Sequence, residues 1–300
     1  MSPPGELESQ RIASMKRLLV NADDFGLCQG VTDGIIQAHR QGIVTSTSIM
    51  AGGGDFNHAV QQAGECPGLG VGVHLTLVEE QPVCAASQIP SLVQGDGRLP
   101  RNYAALLSGV ALGRIPLREV EAELRAQVEK CLRAGLSPTH LDSHQHVHAL
   151  PSILRIVLKM ARDYSISGIR LPRDARGRAS GSSNSGSLAK SLLCLLARYD
   201  ARAFPMGPFS ICDRAAGIFD SGNLSEDRLL KLLHRLMDGD TELVCHPGRE
   251  GGSTMARYAH WDYHWQTELA ALTCVPVRET IKKLGIALIG YRDLTPKAPV

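Results

Sequence analysis

A cluster of histidines lies at positions 140–148, where the chain reads HLDSHQHVH. Four of the eleven histidines fall in this stretch, together with Asp142. In an extended segment His144, His146 and His148 share one face, whereas a helix brings only His144 and His148 together. Either conformation places at least two imidazoles close to one another. Imidazoles with a carboxylate are common ligands of zinc and similar divalent ions, so the stretch predicts a metal site; the alternative is an exposed polar turn.

A second polar stretch, ADDFG, follows the apolar segment Arg17–Asp23, which is typical of a buried parallel strand. Of its two adjacent acids, Asp23 and Asp24, one can bind a metal while the other contacts a water or a second ligand. The alternative is a pair of turn acids, because Asp followed by Gly is common in turns. This stretch alone does not decide between the two.

Further polar residues also follow predicted strands: His74, Arg170, His246 and Asp293. His74 or His246 taken singly is more simply a buried structural histidine. The carboxyl ends of parallel strands in a β/α barrel meet at one face and build the active site, however. We therefore expect these side chains to converge with the two polar stretches.

The elements that must position them alternate between strand and helix about seven times, which is typical of an α/β fold with a parallel sheet. The length favours a distorted or incomplete β/α barrel over an open sheet. We expect a disordered leader over 1–16 and a single catalytic domain over 17–300. An insertion or long loop, rich in proline and glycine, is expected at about 79–115, and a mobile Ser/Gly-rich loop at 173–187.

Composition narrows the classes of function. The chain carries 32 basic and 30 acidic residues, and no basic stripe with interleaved aromatics, so nucleic acid is not an expected partner. Its eight cysteines form no C-x-x-C pair, which fits a reducing cytoplasm better than a disulfide framework or a zinc finger. No signal peptide or membrane span is predicted.

Several catalytic motifs are missing from the sequence. G-x-S-x-G, the Walker A motif and G-x-G-x-x-G do not occur. Hydrolysis by metal-activated water is therefore favoured over acyl-enzyme chemistry. Trp261 and Trp265, with His260 and His264 beside them, form an aromatic stretch that could border a sugar pocket.

Five motifs occur in order over Arg17–Leu294: NADDFG, GVHLTL, PTHLDSHQHVH, IRLPR and CHPG. In this order they resemble the YdjC-like carbohydrate deacetylases. The stretch GPFSICDRAAGIFDSGNLSEDRLLKLL resembles the hopanoid-biosynthesis branch of that family, HpnK, more than the chitooligosaccharide-deacetylase branch.

The resemblance implies a distorted β/α barrel that removes acetyl groups from N-acetylated amino sugars. It also implies one divalent metal ion, magnesium or zinc, held by Asp24, His74 and His144. Position by position, Asp23 corresponds to the general base and His246 to the general acid. His146 and Arg170 are expected to line the substrate pocket.

Other functions stay open at this stage. An amidohydrolase or a phosphoesterase is also a metal-dependent barrel hydrolase, although amidohydrolases usually carry H-x-H after the first strand, where this chain has ADD. A barrel that binds sugar or metal without catalysis is a further alternative. The expected substrate is a small-molecule or lipid-linked N-acetylated sugar; a lipid-linked one would bring the protein transiently to a membrane surface. The sequence leaves a homodimer open.

Overall fold

The computed structural model describes residues 15–173, Leu195, 209–250 and 253–296. Most of the expected leader therefore lies outside the described residues. So does the predicted Ser/Gly-rich loop beyond Arg173.

The described strands form one parallel sheet, in which β1 is buried at the last nine of its ten positions. Seven strands follow the spatial order β5-β4-β3-β2-β1-β7-β6, and β8 also pairs with β1. Their bounds are β1 Lys16–Phe25, β2 Ser46–Ile49, β3 Gly70–Leu75, β4 His140–Ser143, β5 Gly168–Ile169, β6 Arg214–Ala216, β7 Gly239–Cys245 and β8 Ala287–Ile289.

Strand β1 lies at the centre of the sheet because both of its edges are paired. Strand β7 follows one edge from Lys16 to Ala22. The other edge is divided: β8 pairs with Arg17–Leu19, and β2 pairs from Asn21 onward. The Thr45 hydroxyl lies where the two partners meet and donates to the Ile289 carbonyl at 2.6 Å.

The two ends of the sheet approach each other. The amide of Ala215 in β6 donates to the Arg173 carbonyl, just past β5, at 3.2 Å. A single bridge also joins Gly168 to Ser210. The predicted distorted β/α barrel is confirmed.

Helices connect the strands as the periodicity predicts. The apolar periodicity of residues 117–134 predicts a helix, and the structure has one over Leu117–Arg133; Gly135 follows it with a positive φ of 83°, the conformation that ends helices. The described helices are α1 Gln29–Gln41, α2 Phe56–Gly64, α3 Tyr103–Ala111, α4 Leu117–Arg133, α5 Pro151–Asp163, α6 Glu226–His234, α7 Ser253–Ala256, α8 Trp265–Thr273 and α9 Val275–Lys283.

The segment expected to be an insertion or long loop, 79–115, contains helix α3, which the sequence pattern did not predict. Asn102 begins this helix, its side chain accepting a hydrogen bond from the Ala105 amide at 2.9 Å. Flanking prolines and glycines hid the short helical pattern.

The same segment is fastened to α4 by buried acids. The Glu123 carboxylate accepts from the amides of Val83 and Cys84 at 2.8 and 2.9 Å. Glu119 accepts from the Ser91 amide at 2.7 Å. Because these carboxylates satisfy loop amides, the segment is held at the carboxyl ends of the neighbouring strands.

A glycine in β3, Gly72, allows a side chain of the neighbouring strand to approach the backbone closely. A Cβ at Gly72 would lie 2.3 Å from the ring of His140 in β4. That ring is buried and stacks on Tyr291 with their centroids 3.8 Å apart. His140 is thus a packing residue. In the described part of the chain, no helix is long and apolar enough to cross a membrane.

Candidate metal centre and active site

The two acids of ADDFG are placed by an irregularity in β1. Asp24 has a positive φ of 66°, and the register with β2 shifts between Ala22 and Phe25. In a regular strand the side chains of Asp23 and Asp24 would point to opposite faces of the sheet. Here each carboxylate has an oxygen within 4.8 Å of a ring nitrogen of His74, so both belong to one site.

Asp24 is the meeting point of two imidazoles. Its Oδ1 lies 3.3 Å from Nε2 of His74 and 3.1 Å from Nδ1 of His144. All three side chains are buried. Burial alone would raise the pKa of the Asp24 carboxyl, but the two histidines hold that pKa well below its usual range. The three predicted metal ligands therefore lie together.

The orientation of His74 is fixed by two polar contacts to its Nδ1 atom. In the parallel register its partner is Asp142 of β4, whose Oδ1 lies 2.9 Å from Nδ1 of His74. The Ser48 hydroxyl lies 3.2 Å from the same nitrogen. A proton on Nδ1, donated to Asp142, leaves the lone pair of Nε2 directed at Asp24, which is the arrangement found behind metal-binding histidines.

Electrostatics favour a cation at this point. Burial opposes protonation of His74, but Asp142 and Asp23 raise its pKa to about 10. Asp23, Asp24, Asp142 and Glu242 are all buried, and Arg170 is the buried arginine that contacts three of them. This excess of buried acids stabilises an added positive charge.

The donor set fits a divalent ion. The spacings of 3.1 and 3.3 Å match neighbouring ligands on a sphere with metal bonds of about 2.0–2.2 Å. Among the described residues, Oδ2 of Asp24 and Nε2 of His144 are buried without a hydrogen-bond partner. Asp23, His74 and Asp142 also lie close enough to share an ion, but Arg170 and Nδ1 of His74 already occupy their oxygens.

Arg170 is fully buried beneath the acids. Its two terminal nitrogens donate to the two oxygens of Asp23, both at 2.7 Å. Nη1 also lies 2.7 Å from Asp142, and Nε donates to Glu242 at 2.8 Å. Burial opposes the charged form, yet the three acids raise the pKa of Arg170 well above its usual value. The guanidinium therefore fixes Asp23; its predicted contact with substrate stays a prediction.

Opposing influences also act on the acids around Arg170. Burial would raise the pKa of Asp142, but Arg170 and His74 lower it below its usual range. Burial raises the pKa of Glu242 despite the hydrogen bond from Arg170.

His246 lies beside Asp23 at the end of the neighbouring strand. It follows Cys245, whose register partner is Ala22, the residue before Asp23. Its ring packs against Tyr263 with centroids 4.8 Å apart, and its backbone amide donates to Glu268. Nδ1 of His246 is buried and has no partner among the described residues.

The histidine cluster is neither extended nor regularly helical. His144–Ala149 is a 3₁₀ segment in which Gln145 and His146 have positive φ values of 53° and 55°. These turns send each imidazole in its own direction. His144 faces Asp24, whereas His148 contacts the Ser143 hydroxyl and, at 2.9 Å, the Arg170 carbonyl.

His146 and His148 are both buried, and burial disfavours the protonated, charged form of each ring. Burial lowers the pKa of His148 to about 4 and that of His146 well below its usual range. Nδ1 of His146 has no partner among the described residues, so its predicted role in substrate binding stays open as a prediction.

An aromatic wall borders the site on one side. The ring of Trp261 lies 4.9 Å from that of His144, and Tyr263 lies 5.6 Å from Trp261. Nε1 of Trp261 donates to Glu79 at 2.7 Å. The aromatic stretch noted in the sequence therefore adjoins a predicted metal ligand.

Ser48 and Glu242 organise the site but received no role from the sequence, and Asp142 was expected only as the carboxylate beside the histidine cluster. Each is a polar residue within a buried parallel strand, where both faces are normally apolar. A polar residue within an otherwise apolar strand was the one indication available in the sequence. It points to a functional site only because it recurs in three strands, β2, β4 and β7.

Comparisons with known proteins show the family to which the chain belongs. Residues 17–283 match the family described as YdjC-like protein. A carbohydrate deacetylase from Brevibacillus brevis is 49% identical over 156 residues, which cover 52% of this chain and 59% of that protein. A chitooligosaccharide deacetylase from Yersinia pestis is 34% identical over 93% of this chain and 99% of its own length.

A solved structure from Enterococcus faecalis V583, whose name refers to cellobiose-phosphate cleavage, has a TM-score of 0.72 and 28% identity. It is matched over 94% of this chain and 100% of that one. The chain therefore belongs to the YdjC-like family, and the resemblance drawn from its motifs is confirmed.

Proposed function

We propose that this YdjC-like protein is a carbohydrate deacetylase that uses a divalent metal ion to hydrolyse the N-acetyl group of an amino sugar. The observation that carries the proposal is the meeting of Asp24, His74 and His144, with the Asp23 carboxylate beside them. The names of the Brevibacillus and Yersinia relatives support amide hydrolysis on a carbohydrate.

Asp24, His74 and His144 hold the metal. When bound, the ion would supply Lewis-acid chemistry, activating water as a nucleophile and polarising the acetyl carbonyl. Asp142 keeps His74 in the ligating tautomer through the 2.9 Å contact with Nδ1.

Asp23 is the general base. Arg170 binds both of its oxygens, and Asn21 donates to Oδ1 at 2.8 Å, so the carboxylate cannot rotate. Oδ2 accepts only from Arg170 among the described residues, which leaves a lone pair for a proton from the attacking water. A fixed base costs no reorganisation when the proton moves.

His246 is the general acid. Its place beside Asp23 and its unpartnered Nδ1 support transfer of a proton to the departing sugar nitrogen. Trp261 and Tyr263 offer flat apolar faces, which suit the C–H faces of a sugar and exclude water from the reacting bond.

The sequence predicts the substrate more narrowly, as an N-acetylated sugar that is either lipid-linked or part of a chitooligosaccharide. The hopanoid-linked form, membrane-surface contact, a homodimer and a cytoplasmic location stay predictions. So does the choice between magnesium and zinc; the two imidazoles favour zinc, since magnesium prefers oxygen ligands.

Acetate release from a panel of N-acetylated sugars tests the function, with ammonia and phosphate release assayed in parallel. Asp23→Asn removes the base, so we expect kcat to fall by about 10²–10⁴-fold. Metal content, measured by elemental analysis, should stay at the wild-type level. Asp33→Asn, on the outer helix α1, is the matched control.

Unchanged turnover in Asp23→Asn would remove Asp23 from the mechanism. Ammonia or phosphate released in place of acetate would favour an amidohydrolase or a phosphoesterase. No product from any sugar, in a protein that still binds sugar, would favour a non-catalytic barrel.

A further inference from the structure

The carboxylate of Glu79 joins three segments that surround the metal centre. Oε2 accepts the hydrogen bond from Nε1 of Trp261 at 2.7 Å, and Oε1 accepts one from Nε2 of Gln145 at 3.4 Å. Gln145 directly follows His144, a proposed metal ligand, and Glu79 lies in the loop after β3, the strand that carries His74. One side chain therefore connects the loops after β3 and β4 with the aromatic wall.

The backbone at Glu79 adopts a conformation that this residue type rarely takes. Its φ is +67°, and the Glu80 amide donates to the Val78 carbonyl at 2.8 Å, so Glu79 is the central residue of a γ-turn. A γ-turn with a positive central φ is rare and strained. The surrounding chain maintains it, because the Glu79 amide donates to the Pro100 carbonyl at 2.9 Å and Arg98 donates to the Glu79 carbonyl at 3.4 Å. Maintained strain of this kind is concentrated at functional sites, which directs attention to the side chain of Glu79.

The hydrogen bond from Trp261 places an aromatic ring between the two ends of the site. An indole N–H can only donate, and a carboxylate acceptor makes such a bond roughly twice as strong as a neutral one. The ring lies 4.9 Å from that of His144 and 5.6 Å from that of Tyr263. Tyr263 in turn lies 4.8 Å from the ring of His246, the proposed general acid. The position of Trp261 therefore decides the course of the aromatic wall from metal ligand to acid.

A separate ion pair holds the stretch 257–261 beside the γ-turn. Arg257 lies 3.3 Å from the carboxylate of Glu80, which is buried. This pair does not involve the side chain of Glu79, so it persists when that side chain is shortened. Loss of the Glu79 carboxylate should therefore release the indole ring of Trp261 without detaching the whole stretch.

Glu79 itself is not placed to react. Among the described residues, two groups bring ligand atoms within 4.8 Å of one another, and Glu79 belongs to neither. Its two carboxylate oxygens accept from Gln145 and Trp261. A role for Glu79 must therefore act through the residues that it holds.

We infer that Glu79 is a positioning residue, which holds Trp261 against the metal ligand His144 and so fixes the face on which the sugar rests. It acts on substrate binding rather than on the chemical step. The inference deepens the proposed function and rests on it.

Steady-state kinetics of acetate release from N-acetylglucosamine test the role. In Glu79→Ala we expect KM to rise about tenfold, the effect of losing one aromatic contact with the ligand, while kcat stays close to wild type. Glu79→Gln keeps an acceptor oxygen for the indole N–H and should recover most of the wild-type KM. Glu65→Ala, which removes an exposed acid paired with Arg40, is the matched control and should not change KM.

A double-mutant cycle shows whether Glu79 acts through Trp261. Trp261→Phe removes the same hydrogen bond and leaves the γ-turn intact, so it should raise KM about as much as Glu79→Ala. Combining the two changes should then raise KM little further, because both remove one interaction. Full additivity would overturn the inference. If Glu79→Ala fails to fold, Trp261→Phe and Glu79→Gln decide it: an unchanged KM in the first, or a tenfold rise in the second, would contradict the role.

A second measurement does not depend on turnover. The chain has two tryptophans, so Trp265→Phe leaves Trp261 as the single indole fluorophore. In this background, acrylamide should quench the fluorescence of Trp261 more strongly after Glu79→Ala and to an unchanged extent after Glu79→Gln. Circular dichroism checks that each variant is folded, and elemental analysis should show unchanged metal content.

The outcomes separate the two proposals. Absence of acetate from every sugar would reject the deacetylase function, while the quenching experiment would still decide whether Glu79 positions Trp261. Unchanged quenching of Trp261 in Glu79→Ala would overturn the positioning role, whatever happens to KM. A fall in kcat or in metal content with KM unchanged would also overturn it, since Glu79 would then act on the metal centre.

Discussion

Replacement of Arg170 by methionine is the sharpest perturbation that the structure offers, because one side chain holds three buried acids. Its contacts with Asp23, Asp142 and Glu242 measure 2.7–2.8 Å. All four residues are at most 2% exposed. Methionine fills a similar volume but leaves the carboxylates without their cation.

The size of the effect follows from that burial. Removing one partner of a buried ion pair typically costs about 3–5 kcal/mol, and here three acids lose the same partner. We therefore expect the free energy of unfolding of Arg170→Met at pH 7 to fall by about 4–5 kcal/mol. That is a large part of the roughly 5–15 kcal/mol available to a typical domain.

Urea denaturation followed by circular dichroism measures the loss. The matched control is Arg125→Met, which removes an arginine that bridges Glu121 and Asp163 at the surface, at 25% exposure. Exposed pairs contribute about 0–1 kcal/mol, so this variant should stay close to wild type. Arg170→Lys keeps the charge without the bidentate geometry and should fall between the two.

The pH dependence gives a second readout. Without Arg170 the buried acids bind protons more readily, so the deficit of Arg170→Met should shrink as the pH falls from 7 to 5. Equal losses in Arg170→Met and Arg125→Met, at every pH, would refute the view that Arg170 compensates the buried acids.

Two further expectations concern stability. Burial lowers the pKa of His140 to about 3, below the roughly 6.5 of a histidine in the unfolded chain. Because the unfolded state then binds a proton that the folded state does not, the free energy of unfolding should fall as the pH drops from roughly 6.5 to about 3. In His140→Phe, the slope of unfolding free energy against pH in this acid range should fall by about 1.4 kcal/mol per pH unit. The exposed variant His234→Gln is the control and should keep the wild-type slope. An unaltered slope in His140→Phe would contradict the burial of a neutral His140. Glu123→Ala removes the acceptor of the Val83 and Cys84 amides and should cost about 1–3 kcal/mol, with faster hydrogen exchange at both. Glu129→Ala, exposed on the same helix, should cost under about 1 kcal/mol, and similar effects of the two changes would argue against the anchor.

The convergence of Asp24, His74 and His144 was predictable because parallel strands end at one edge of a sheet. The sequence shows which polar residues follow strands, and the barrel rule brings them together. His246 beside Asp23 follows from the same rule. The fold class was predictable from the alternation of strand and helix.

Other parts of the site depend on tertiary details that spacing does not encode. The positive φ of Asp24 and of His146 determines where these side chains point, and neither residue type predicts a positive φ. Arg170 lies just past β5 and is buried under Asp23, a contact that the sequence did not indicate, and its predicted contact with substrate stays a prediction. Helix α3 was hidden because nearby prolines and glycines resemble a loop.

Elemental analysis of the purified full-length chain tests the central claim most directly. Wild type, loaded with zinc or magnesium and then desalted, should retain about one ion per chain, and Asp24→Ala should retain almost none. Asp33→Ala, which changes an acid on outer helix α1, should retain as much as wild type. Equal metal content in Asp24→Ala and wild type, or no ion in either, would contradict a metal centre built from Asp24, His74 and His144.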